Sequence, residues 1–170
     1  ETTGVGQITS DAIRDAAEAG NGTVIIKGMI SNADLEAIAA CEGLEINLDL
    51  SGATLMNDEG TDAVTEFPFT LCEYYGNTSK AILTGIILPN GIKSLAANCF
   101  LGCESLASVT LPEGLETIGS SALQNTAITS IDFPESLTTI DGYAFAGTKL
   151  EGELVIPARI TFPSTSPNQY

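Results

Sequence analysis

The stretch LPEGLETI, Leu111 to Ile118, returns as FPESLTTI at Phe133 to Ile140, and this self-similarity constrains the fold more than any single residue does. Aligned on proline, units begin at Leu88, Leu111, Phe133 and Ile156, spaced 23, 22 and 23 residues apart. Apolar columns run down them: Ile92, Leu115, Leu137 and Ile160; then Leu95, Ile118 and Ile140; then Cys99, Ala122 and Ala144; then Phe100, Leu123 and Phe145. A unit this short cannot bury its own apolar side, so successive units must stack into a solenoid. Within LASVTLP, the inward set is Leu106, Val109 and Leu111, while Ser108 and Thr110 point out on the two-residue alternation of a strand. Pro89, Pro112, Pro134 and Pro157 end the strands, because proline fixes its own φ and cannot donate to a ladder.

The N-terminal half carries helix signals. SDAIRDAAEAG offers Ser10 as N-cap, Asp11 in the first turn and Gly20 as the stop. In SNADLEAIAACEG, Ser31 and Asp34 have capping-box spacing and Gly43 ends the helix. Between them, Val24, Ile26 and Gly28 map onto Leu48, Leu50 and Gly52 at a constant offset of 24, again one coil. The expected class is α/β, with parallel strands stacked at a 22–24 residue period in a single domain over 1–170. Residues 1–56 form a helix-containing N-terminal cap and first coils, 57–83 an irregular or inserted segment, 84–163 the repeats and 164–170 a tail.

A strand ending in LP or IP, an apolar pair three apart, an AF pair as at Ala144 and Phe145, then G-C or G-T and a leucine: this pattern resembles the bacterial leucine-rich repeats of the BspA-like cell-surface family. The resemblance covers Ile82 to Pro163 and includes Cys103 at the family's cysteine position, which Thr126 and Thr148 occupy in later units. It implies a right-handed leucine-rich repeat solenoid and a secreted or surface-displayed module for adhesion or recognition. The interchange of cysteine and threonine speaks against a chemical role for Cys103.

Charge and composition exclude several classes. Against 22 Asp and Glu stand 6 Lys and Arg, a formal net charge of −16 that repels a phosphate backbone, so nucleic acid is not an expected partner. No apolar run reaches the roughly 18 residues that cross a bilayer. The chain starts at Glu1 rather than Met, as it would after removal of a signal segment, which would mean export, or after simple trimming of the sequence. Histidine is absent, and with it the commonest general base and metal ligand. Neither an enzyme nor a cofactor or metal is expected: the acidic run Asn57 to Asp62 fails the calcium-loop register, and no carboxylate pair is marked out for glycoside hydrolysis. Cys41, Cys72, Cys99 and Cys103 match no zinc spacing; buried free thiols are the leading expectation, with disulfides open. The sequons at Asn21 and Asn77 are expected to stay unmodified in a bacterial surface protein.

What a stacked strand face offers is recognition. Its exposed column is Ile87, Thr110, Asp132 and Val155, with Ser108 and Ser130 beside it, and Tyr74 and Tyr75 of the 57–83 segment are candidates at an interface. Such a face measures on the order of 250 Å², against about 800 Å² per partner in a standard interface. Help from neighbouring segments, avidity or further repeats is therefore expected. The favoured partner is an extracellular or host surface protein; the alternatives are a glycan-capture module of the surface coat and a spacer without ligand.

Overall fold

The computed structural model describes residues 6–68, 71–72, 81–151 and 155–163. Two helices open the chain. The first, α1 (Ser10–Ala19), is capped by Thr9, not by Ser10: Thr9 has extended backbone and its Oγ1 accepts the Ala12 N–H at 3.2 Å. Ser10 is drawn elsewhere, donating its hydroxyl to the Ala37 carbonyl at 3.4 Å. Gly20 closes the helix as expected, its N–H on the Ala16 carbonyl, and a side chain there would collide with the Thr23 carbonyl. The second, α2 (Asn32–Ala39), has the full Ser31–Asp34 capping box. It stops at Ala39 and Ala40, ahead of Gly43, which serves the next turn with φ +68°.

Asp34 does more than cap. Its carboxylate, 1% exposed, also accepts the Gly6 N–H at 2.7 Å and the Ile8 N–H at 2.9 Å, tying the leading segment to α2. Burial alone would push its pKa up, but the Ile8, Gly6 and Ser31 N–H groups and the Ser31 hydroxyl outweigh burial and hold it below the ordinary 3.8.

Eight strands follow in chain order: β1 (Thr23–Ile30), β2 (Glu45–Leu55), β3 (Glu66–Phe67), β4 (Ile82–Ile87), β5 (Ser94–Leu95), β6 (Ser108–Thr110), β7 (Thr117–Ile118) and β8 (Thr139–Ile140). They make two parallel sheets, β1-β2-β4-β6 and β3-β5-β7-β8, which together are the parallel-strand solenoid read from the repeats. The offset of 24 holds for Val24↔Leu48, then slips: Gly28 pairs with Ala53, not with Gly52. A bulge in β2 adds one residue there, and Gly52 pairs instead with Lys27, whose Cγ lies 2.9 Å from where a Gly52 Cβ would be. Within the 57–83 stretch, β3 pairs Phe67 with Leu95, so a strand of the second sheet passes through it. The loop at Asn57 folds on itself: the Asn57 carboxamide oxygen accepts the Thr61 N–H at 2.9 Å, and Asn57 N–H donates to the Asp62 carbonyl.

The apolar columns form one continuous core. Each repeat turn uses two left-handed residues, Asn98, Ser121 and Tyr143 in one column and Gly102, Asn125 and Gly147 in the other. The turns then bond coil to coil, as Phe100 N–H to the Ala122 carbonyl at 2.9 Å and Leu123 N–H to the Ala144 carbonyl at 2.8 Å. Thr126 and Thr148 donate their hydroxyls back to the Leu123 and Phe145 carbonyls. Cys103, at the same position, is bonded to Cys72. The free-thiol expectation is thus met by buried Cys41 and Cys99 and overturned for this pair, which proximity across 31 residues brings together. Burial pushes the Cys99 thiol well above its ordinary pKa, which suits a packing role. The column of Phe100, Leu123 and Phe145 is not uniform. Phe100 and Leu123 are fully buried, but Phe145 is half-buried because its ring turns edge-on to Phe133, centroids 5.9 Å apart. Phe67 takes up the other end, stacked on Phe100 at 5.5 Å.

Candidate functional site

Strand register sets out the exposed face of the first sheet in rows. One row runs Ile25, Asp49, Ile87 and Thr110, successive partners across β1, β2, β4 and β6, and the repeat carries it to Asp132. A second runs Thr23, Asn47, Gly85 and Ser108. At Gly85 a Cβ would lie 2.6 Å from Ser108 Oγ and 2.7 Å from Asn47 Oδ1. Both polar side chains lean over the glycine, so the row has a notch where a larger residue would push them apart.

The strands of this sheet shorten along the solenoid, from 11 residues in β2 to 6 in β4 and 3 in β6. After β6 the ladder stops. Ala107 N–H donates to the Thr84 carbonyl at 2.9 Å on one side, and Glu151 N–H to the Thr129 carbonyl at 3.1 Å on the other. Between these, no backbone hydrogen bond joins residues 107–111 to 129–133, all of them described. The unit concerned is the short one: buried Thr126 and Ile128 are two apart where buried Cys103 and Leu106 are three apart. The coils stay paired on the opposite side, where Thr117↔Thr139 and Ile118↔Ile140 keep register. The result is a cleft of about 340 Å³ on the exposed face, lined by residues 107–111, Glu113 and 130–134.

Of the residues singled out from the sequence, Ser108, Thr110, Ser130 and Asp132 come together on the walls of this one cleft, all exposed. Ile87 lies beside Thr110 as its strand partner, half-buried. Val155 is 70% exposed and does not line the cleft. Tyr74 and Tyr75 fall outside the described residues. Three residues escaped the sequence reading: Ile25, Asp49 and Glu113. The first two were within reach, since the offset of 24 that relates Val24 to Leu48 also relates Ile25 to Asp49, which in turn pairs with Ile87. Glu113 follows a strand-ending proline and shows no strand alternation.

Chemically the cleft holds hydroxyls, two carboxylates and a free strand edge. No lysine or arginine lines it, and neither carboxylate is hydrogen-bonded to the Ser108 or Ser130 hydroxyl. Among the described residues no group of three His, Cys, Asp or Glu is placed to hold a metal ion, and no helix is long and apolar enough to cross a membrane. The family model described as "BspA type Leucine rich repeat region" matches residues 74–166 in six copies. No curated protein and no solved structure matches the chain.

Proposed function

The chain belongs to the BspA-type leucine-rich repeat family, and from that premise we propose that it is a non-catalytic cell-surface module whose exposed strand face binds an extracellular or host protein. The observation that carries this reading is the convergence of Ser108, Thr110, Ser130 and Asp132 on one cleft in an otherwise laddered face. Exposed hydroxyls and a carboxylate carried on packed coils fix the orientation of a partner at little entropic cost. The Cys72–Cys103 disulfide supports an oxidising, extracytoplasmic setting, where such bonds persist.

The test is binding of the immobilised domain to a panel of extracellular-matrix proteins and glycans, beside a Thr110→Lys, Asp132→Lys double variant. Saturable protein binding that the variant loses, with the fold intact by circular dichroism, is the expected result. Binding restricted to oligosaccharides would replace this reading with glycan capture. No binding at all would leave a spacer.

A further inference from the structure

We propose that the break after β6 receives an extended peptide segment bearing lysine or arginine, which pairs with the free backbone edge of β6. The proposal rests on the reading of this face as the recognition surface and names the kind of partner it takes. Two observations point there. The first is the unfinished ladder. β6 is the last strand of its sheet, and the next coil, 129–132, makes no backbone bond to it. Unpaired strand edges seek a partner, and an incoming strand satisfies them with main-chain hydrogen bonds. The stretch lining the cleft, 107–111, corresponds to about 17 Å of strand at roughly 3.4 Å per residue, the length of a short segment and not of a globular surface. The small side chains of Ser108 and Thr110 leave the backbone approachable.

The second observation is charge. Glu113 and Asp132 are exposed on the cleft walls, no cation is among its lining residues, and the chain as a whole carries −16. An acidic segment would be repelled and a basic one drawn in. The free edge of β1 offers no such selection: its exposed face presents Ile25 and Met29 around the single charge of Lys27. The two edges thus differ, and only the one at β6 specifies the chemistry of what it pairs with.

The probe is an acetylated, amidated heptapeptide of alternating lysine and valine, titrated by fluorescence polarisation at physiological salt. Controls are the same peptide N-methylated on its valines, a glutamate-for-lysine peptide, and an Asp132→Asn, Glu113→Gln protein whose changes are exposed and nearly isosteric. Expected are saturable binding of the parent peptide, weakening by about tenfold or more on N-methylation, similar weakening in the double variant, and no binding of the acidic peptide. Equal binding of the N-methylated peptide would overturn strand pairing while leaving the recognition face in place. No binding of the parent peptide, with matrix proteins still captured through Thr110 and Asp132, would likewise overturn this inference alone. Peptide binding untouched by Thr110→Lys, Asp132→Lys, together with a matrix panel equally untouched, would remove both readings.

Discussion

The N-terminal coils and the repeats build one parallel sheet by different means. In the first two coils the return path is a capped helix, and the strands run 8 and 11 residues with register through a bulge. In the repeats the return path is a turn with two left-handed residues, bonded to its neighbours on the side away from the face, and the face strand shrinks to 3 residues. The difference teaches where each region keeps its order. The N-terminal coils are held across the whole exposed sheet, whereas the repeats are held at the turn and the second sheet. Beyond β6 their exposed face is released from the ladder, and at the one short unit it opens into the cleft.

The largest effect should come from the core of the repeats. Phe100→Ala removes a fully buried ring stacked on Phe67 and should cost about 3–5 kcal/mol. Phe145→Ala, from the half-buried end of the same column, should cost roughly half as much in the same urea series. Equal losses would mean that the column is uniform. Next comes the link between the two regions. Cys72→Ser with Cys103→Ser opens a disulfide that spans 31 residues, which should lower stability by about 2–4 kcal/mol. Calorimetry should show the loss; an unchanged melting temperature would separate the 57–83 stretch from the cooperative unit.

Asp34 sharpens the N-terminal side of the comparison. Asp34→Ala leaves the Gly6, Ile8 and Ser31 donors without their acceptor and should cost about 1–3 kcal/mol. Its pH signature has a definite sign. The folded pKa lies below the unfolded 3.8, so the contribution is fully present above 3.8 and drains away as pH falls through the folded value. Acid unfolding of Asp34→Asn should therefore lack this component; identical wild-type and variant profiles would contradict the assignment. The smallest effect should be a gain. Tyr143 holds φ +61° with an exposed side chain, so Tyr143→Gly should stabilise by about 0.5–1 kcal/mol, the relief of left-handed strain being partly offset by a freer unfolded chain. A loss would show that the Tyr143 ring makes contacts that outweigh the strain.

The period exposed the repeats because one column per coil must be apolar, and the structure places Leu95, Ile118 and Ile140 in register as the alignment did. What stayed hidden has physical reasons. β3 is two residues long and stands 28 before Leu95, so Phe67 carries no periodic mark. The Cys72–Cys103 bond depends on proximity in space that spacing leaves open. Phe145 occupies a core column yet turns towards Phe133, a choice made by the neighbouring ring. For the site, alternation disclosed the outward residues of β6 and of the next coil. It could not disclose that the backbone between them is unbonded, because a broken ladder leaves the side-chain pattern intact.

Hydrogen exchange resolved to single amides tests that break most directly. Ala107 and Leu88 N–H groups are bonded across β4 and β6, whereas the Ser130 and Asp132 N–H groups, on the coil beyond the break, donate no backbone hydrogen bond. The latter pair should exchange at least about 100-fold faster than the former, relative to their intrinsic rates. Protection of Ser130 and Asp132 equal to that of Leu88 would mean that the ladder runs on through the repeats and that the cleft does not exist.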